Sequence, residues 1–253
     1  MLVAQRSGER VEATRDLPDG AYACPMCASD AILKRGRVKV AHFAHAPGAV
    51  CDWAGESMRH HLAKRLLADR FRALGYTVEI EEPHLSVGRR VDVAVTVPTG
   101  DRVAVEVQDS AISVNEMQRR NRTDRGIGFF ATMWVFTSSR AARLLAAQED
   151  DEARVPNEIL WVHDRYHQGV FVIDERAERM WRCNFGRIVR QGESRQWYTE
   201  DGELTGVNYP DQALKFTKTV SRTEVGFALT SRQTRYHKPG HPDFTVVFTS
   251  KQA

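Results

Sequence analysis

Arg89-Arg90-Val91-Asp92-Val93-Ala94-Val95-Thr96-Val97-Pro98-Thr99-Gly100-Asp101-Arg102-Val103-Ala104-Val105-Glu106-Val107-Gln108 is the stretch that decides the fold. Its first half alternates, with Val91, Val93, Val95 and Val97 on one face and Asp92, Ala94 and Thr96 on the other, the period of a strand buried on one side. The second half sets Val103, Val105 and Val107 against Ala104, Glu106 and Gln108. Between them Pro98-Thr99-Gly100 fits a three-residue hairpin loop, with Pro at the second position of a type I turn and Gly left-handed. In that register Val97 faces Asp101 and Asp92 faces Glu106, so strict alternation puts both carboxylates on one side, beside Ala94 and Ala104. A four-residue loop would send them to opposite faces.

Two carboxylates about 4 Å apart repel by roughly 4 kcal/mol at an effective dielectric near 20. Unless a cation intervenes, one of them takes up a proton. Mg²⁺ or Mn²⁺ relieves the repulsion while keeping waters and phosphate oxygens in its shell, and can activate a water for attack on a phosphodiester. The competing arrangement pairs the acids with Arg89 and Arg90 at a surface sheet.

Outward from the hairpin, a helical pattern runs from Glu56 to Leu74. Met58, Leu62 and Leu66 form one stripe, Leu67, Phe71 and Leu74 an adjacent one, and Gly75 follows as a C-cap signal. Glu56 opens this helix, with His60 one turn on, so the polar pair falls at one rim of the sheet. Thr77–Glu81 reads as a strand before Arg90–Val97 and Arg102–Gln108. Ser113-Val114-Asn115-Glu116 is a capping-box pattern opening a helix through Arg125. Ala131–Thr137 reads as a buried strand, Ser139 as the cap of an alanine- and leucine-rich helix to Gln148, and Glu158–Val162 as a further strand. Val170–Ile173 and Met180–Asn184 form a candidate hairpin and Phe244–Thr249 a late strand. The expected organisation is a zinc-ribbon-like module over residues 1–54, an α/β domain over 55–165, and a β-rich region of unassigned role over 166–253.

The first 54 residues are polar and turn-rich, too short a piece to fold on an apolar core alone. They hold Cys24-Pro25-Met26-Cys27, His42-Phe43-Ala44-His45 and Cys51. The Cys-x-x-Cys is a knuckle spacing, and tetrahedral structural zinc needs four such ligands. Four of these five supply them: Cys24, Cys27, His45 and Cys51 are favoured, with His42 as the competitor. Binding worth roughly 10–16 kcal/mol would explain how so short a segment folds. Lys34, Arg35, Arg37 and Lys39 make a basic strand that either touches DNA or is a plain exposed edge. Cys183 stands alone and reads as a small buried residue. His61, His84, His163, His167, His237 and His241 show no ligand spacing. Trp161, Trp181 and Trp197 read as core or half-buried anchors.

Lysine and arginine number 36 against 33 acids, a balance of +3 that permits nucleic-acid binding without arguing for it. No run reaches membrane-span length and Met1–Arg10 lacks a signal-peptide core, so a soluble cytoplasmic protein is expected. There, clustered cysteines serve metals rather than disulfides.

Glu56-Ser57-Met58-Arg59-His60, then Arg89-Arg90-Val91-Asp92-Val93, then Val105-Glu106-Val107-Gln108-Asp109-Ser110 resemble the competence protein CoiA-like nucleases, within the PD-(D/E)XK nuclease superfamily. The resemblance extends through the arginine-rich helix after Ser113, the Trp134 strand and the N-terminal cysteine and histidine motifs. It implies a restriction-endonuclease-like αβββαβ core and Mg²⁺- or Mn²⁺-dependent DNA hydrolysis. Asp92 and Glu106 would be the ligands with the Val107 carbonyl, and Glu56 an accessory acid. It further implies a place in DNA uptake, recombination or repair, with single- or double-stranded DNA as partner and a recombination protein as a further one. The superfamily usually carries lysine where Gln108 stands; glutamine orients water but brings no charge, leaving Lys64 and His60 as candidates for that role. Ser110 and Arg119, the latter in an arginine cluster with Arg120 and Arg122, could hold phosphates. A catalytically inactive zinc-containing DNA-binding adaptor of the same fold and an RNA-directed nuclease are the alternatives.

Overall fold

The computed structural model describes residues 1–37, 39–51, 53, 55–166, 169–233 and 244–250. Five short strands come first: β1 (Val3–Arg6), β2 (Glu9–Glu12), β3 (Tyr22–Ala23), β4 (Asp30–Lys34) and β5 (His42–His45). They form one sheet in the order β2-β1-β3-β4-β5. Half of its core residues are alanines, beside Met1, Tyr22, Cys24 and Phe43, which is little apolar surface to hold a module together.

The chain continues with α1 (Met58–Ala73), β6 (Thr77–His84), β7 (Arg89–Thr96), β8 (Arg102–Gln108), α2 (Val114–Gly126) and β9 (Ala131–Thr137). Then come α3 (Ala142–Ala146), β10 (Asp151–Arg154), α4 (Asn157–Tyr166), β11 (Val170–Asp174) and β12 (Arg179–Arg190). Last are β13 (Ser194–Tyr198), β14 (Leu204–Asn208), β15 (Gln212–Gln233) and β16 (Phe244–Ser250). The main sheet runs β10-β15-β12-β11-β9-β8-β7-β6, with β16 also on β15. It is a mixed α/β protein dominated by sheet.

The hairpin forms with the expected loop. Val97 donates to the Asp101 carbonyl at 3.0 Å, Gly100 donates to the Val97 carbonyl at 2.9 Å, and Gly100 takes φ 91°. Val93, Ala94, Val95 and Thr96 pair with Val105, Ala104, Val103 and Arg102. Val93, Val95, Val103, Val105 and Val107 pack with Leu67 and Phe71 of α1, while Ala94 and Ala104 pack with Phe129 on the other side.

Other expectations are corrected. α1 begins at Met58 with Ser57 as N-cap, its hydroxyl accepting from the His60 N–H at 3.0 Å; Glu56 lies outside the helix. Glu158–Val162 is helical, inside α4: its apolar residues cover β11 and the face of β9 that carries Trp134 and Phe136, and a short apolar run does not distinguish buried strand from buried helix. Ser139 caps nothing, since α3 starts later and has no side-chain cap. The main sheet crosses residue 165 without a break: β11 pairs in parallel with β9, and Phe171, Ile173, Met180 and Phe248 share the core of α1. Trp161 and Trp181 are half-buried, but Trp197 is exposed on β13. Cys183 is buried, and burial pushes its thiol up to about 12. His167, His237 and His241 lie outside the described residues.

The N-terminal sheet is fastened to α1 and β6. Leu2 and Val3 enter the α1 core, Arg10 donates to the Ile80 carbonyl at 2.7 Å and pairs with Glu79 at 2.6 Å, and Arg65 pairs with Glu12 at 2.7 Å.

Gly100→Val should lower stability by about 1–2 kcal/mol, because the left-handed backbone costs a β-branched residue that much. The check is the shift in urea midpoint at unchanged slope.

Candidate functional site

Between Ile80 and Glu82 on β6, and between Val91 and Val93 on β7, the regular pairing skips one residue each: Ile80 pairs with Val93 and Glu82 with Val91. The skipped residues are Glu81 and Asp92. Glu81 sits at φ 53°, a conformation costing a non-glycine residue about 1–3 kcal/mol. The kink changes which way the chain faces. Val91 joins Ala94 and Ala104 in the cluster on the α2 side, and Asp92 turns to α1 instead.

Glu81 is held there by its surroundings. The N–H groups of Leu2 and Val3 donate to its carboxylate at 2.9 and 3.2 Å, and the Lys64 ammonium at 2.6 Å. Lys64 is fully buried. It also donates to Glu56 at 2.9 and 2.8 Å and lies 3.7 Å from Asp92. One ammonium thus serves three carboxylates. Burial alone would lower the Lys64 pKa, but Glu81, Glu56 and Asp92 raise it. Burial would likewise raise the acids, yet Lys64, His61 and Arg90 hold Glu56 well below the usual range, and Lys64 and Arg90 lower Glu81. Asp92 is held low against burial by His60 and Lys64. Arg90 also pairs with Glu56.

Asp92 takes two further contacts: His60 Nε2 lies 3.1 Å from Oδ2, and the Val107 N–H donates to Oδ2 at 3.0 Å. Ligand atoms of Glu56, His60 and Asp92 fall within 4.8 Å of one another, and so do those of Glu56, His61 and Glu81. Lys64 touches both acids of each set, but sits 2.6 Å from Glu81 and 3.7 Å from Asp92; the first set, on the half-buried side, has the donor types for a divalent ion.

Glu106 differs from expectation. Its carboxylate pairs with Arg89 at 2.7 Å and Arg120 at 3.3 Å, and Arg89 pairs with buried Asp124 at 2.9 Å. Burial and Asp92 raise its pKa against the pull of Arg89. The two acids meet through backbone: the Asp92 N–H donates to Glu106 at 3.3 Å. The shared carboxylate face expected from strict alternation is therefore corrected, because the kink at Glu81 and Asp92 reverses the facing of one acid and leaves the other with α2. Gln108 donates to the Ser110 carbonyl at 2.6 Å. Arg119 is exposed and bound to Glu116 at 2.7 Å, so it is Arg120, not Arg119, that reaches an acid of the hairpin.

Glu81 and His61 complete this cluster with no motif in the sequence to mark them, while Arg89 and Arg90 pair with its acids as in the competing arrangement, though buried rather than at a surface. His61 has no ligand spacing in the sequence, yet it lies 3.0 Å from Glu56, and burial pulls it down to about 4. A glutamate in a strand was the available signal for Glu81, as it was for Glu106.

In the N-terminal module, Cys24, Cys27, His45 and Cys51 bring their ligand atoms within 4.8 Å of one another. Cys27 Sγ lies 3.5 Å from His45 Nε2. Tetrahedral zinc, with bonds of about 2.3 Å to sulfur and 2.0–2.1 Å to nitrogen, requires a separation close to this, so the donor set fits. His42 is turned away, Nδ1 3.0 Å from the Val40 carbonyl and its ring against His61. Against burial, hydrogen bonds from Ser29 and the neighbouring thiols pull Cys27 down to about 6.

The molecule is a mixed α/β protein with a nuclease-like domain behind a Cys₃His module that can hold a metal ion. Residues 4–54 match the N-terminal domain of competence protein CoiA and residues 56–170 its nuclease-like domain, so the chain belongs to the competence protein CoiA family. No curated protein and no solved structure matches it. Among the described residues no helix is long and apolar enough to cross a membrane.

Lys64→Met should cost about 3–5 kcal/mol at neutral pH, since it strands three buried carboxylates. The wild type holds these acids below their unfolded values, so their contribution is complete above about pH 4.5 and fades as pH falls toward the lowered values. In the variant the acids take up protons more readily, so urea midpoints of the two proteins should converge between pH 7 and pH 4.

Proposed function

We propose that the chain is a divalent-metal-dependent nuclease hydrolysing DNA phosphodiesters, serving DNA uptake, recombination or repair. The observation that carries it is the Glu56–His60–Asp92 constellation at the rim of α1, inside the segment matched to a nuclease-like domain. Mg²⁺ or Mn²⁺ bound there would supply an activated water and neutralise charge on the scissile phosphate.

The chain's own groups have separable parts. Asp92, pinned by the Val107 N–H and His60, and Glu56 would be the ion's carboxylate ligands. Lys64 keeps both ionised, and supplies from α1 the positive charge that Gln108 cannot. His60 stands at the solvent side of Asp92, where its Nε2 would complete the donor set. Gln108 and Ser110, tied to each other, would orient water or phosphate. Glu106 is the second ligand candidate, available to an ion only if Arg89 and Arg120 release it. Imidazole in the donor set suits Mn²⁺ better than Mg²⁺.

The Cys24–Cys27–His45–Cys51 site is proposed to hold structural zinc, closed by four protein ligands and without an open position for chemistry. Because Leu2 and Val3, at the start of this module, supply the N–H groups that hold Glu81, zinc would stabilise the Lys64 cluster as well as the module.

One observation favours a different reading. The pairing of Glu106 with Arg89 and Arg120 satisfies that acid without an ion, as a non-cutting DNA-binding adaptor would have it.

Linear, supercoiled and single-stranded DNA, with an RNA strand alongside, should be cut in Mn²⁺ faster than in Mg²⁺. Asp92→Asn and His60→Ala should each lose about 10²-fold or more, the scale of removing a group that stabilises the transition state. Glu106→Gln separates the two metal placements: full activity keeps the ion on Glu56, His60 and Asp92, and abolished cutting moves it to Asp92 and Glu106. Salt-sensitive binding with no cutting by the intact protein supports the adaptor.

Elemental analysis should find about one zinc per chain. His45→Ala should lose it and His42→Ala keep it; a metal-free but folded N-terminal module would overturn the zinc assignment.

A further inference from the structure

Beyond the last residue of β9 the chain turns through Ser138 and Ser139 into α3, and a cleft of about 350 Å³ opens beside it. Ser139, Arg140, Arg143, Leu144, Arg154 and Pro156 contribute to its walls, and no lining residue carries a carboxylate. Three arginines on an open concave surface repel one another unless something anionic lies between them. Among the described residues only Arg140 of the three has an acid, Glu158 of α4. The guanidinium groups of Arg143 and Arg154 have no partner among the described residues, and both side chains are exposed.

The location is informative. The Arg140 N–H donates to Thr137 Oγ1 at 3.3 Å, Thr137 donates to Asp109 at 2.5 Å, and Ser57, the N-cap of α1, donates to the other Asp109 oxygen at 2.5 Å. Asp109 follows β8 and Thr137 ends β9, and these two strands run parallel. The cleft and the α1 rim therefore lie along one edge, at the carboxyl ends of parallel strands, where open α/β sheets bind ligands.

We propose that this cleft binds a phosphate group of the nucleic-acid strand being processed, with Arg143 and Arg154 closing on its oxygens and Arg140, held by Glu158, supplying fixed positive charge at the wall. It rests on the nuclease reading for the identity of the strand, but not for the existence of the anion site. Guanidinium forks match phosphate oxygens in pairs, which suits arginine to the task. A terminal 5′-phosphate and an internal phosphodiester share this chemistry.

The test uses the full chain without added divalent metal, so that binding is read apart from cutting. A fluorescent single-stranded oligodeoxynucleotide is offered with a 5′-phosphate or a 5′-hydroxyl, with inorganic phosphate as competitor. Arg143→Ala/Arg154→Ala is compared with Arg176→Ala/Arg195→Ala, which removes the same charge at other exposed positions. The cleft variant should bind about tenfold more weakly than this control, with a salt slope reduced by about 1 per arginine. Loss confined to the phosphorylated strand assigns a terminal phosphate, and equal loss on both strands assigns the backbone; either supports the site. Binding equal to that of the control variant overturns it. If no condition yields cutting while the arginine effect stands, the nuclease reading has failed and the anion site has not.

Discussion

A single buried ammonium organises the centre of this molecule. Lys64 enters from α1 and meets Glu56, Glu81 and Asp92, which come from the lead into the helix, from β6 and from β7. A buried charge of either sign would be severely costly alone, so these groups must arrive together. The requirement explains the kink that turns Glu81 and Asp92 toward the helix, and it makes the position of α1 on the sheet a condition of the cluster's stability. Such a cluster is specific more than it is stabilising, since its desolvation offsets much of its attraction.

The same constraint couples the two halves of the family's architecture. Glu81 accepts from the Leu2 and Val3 N–H groups, and Leu2 and Val3 bury their side chains beside α1. The N-terminal sheet is thus a wall of the candidate site rather than an appendage. Its own core is small, so docking on α1 helps to hold that wall in place, as a metal ion at the cysteine cluster would. On the far side the sheet is widened by β11, β12 and β15, which bury Met180 and Val225 in the α1 core and stiffen the strands that carry Asp92 and Glu106.

Much of this was legible in residue order. The loop Pro98-Thr99-Gly100, the pairing of Ala94 with Ala104, the Ser113 cap and the β11–β12 hairpin all follow from local chemistry, as does the preference for His45 over His42 among the zinc candidates. Errors arose where local rules are silent. Glu158–Val162 has an apolar run that strand and helix share, and it became helix because β9 and β11 needed covering. His61 has no ligand spacing in sequence, because its partner Glu56 reaches it by folding back from outside the helix.

The sequence by itself determined the hairpin, its register and the grouping of cysteines with histidine, because turn geometry and ligand spacing are set by neighbours along the chain. Only the tertiary structure decided which acids stand together. Facing in a strand reverses with one irregular residue, and the kink at Glu81 and Asp92 is fixed by Lys64 and by the N-terminal strand, groups distant in sequence. That is why Asp92 belongs with Glu56 and His60, while Glu106, its neighbour across the hairpin, belongs with Arg89 and Arg120.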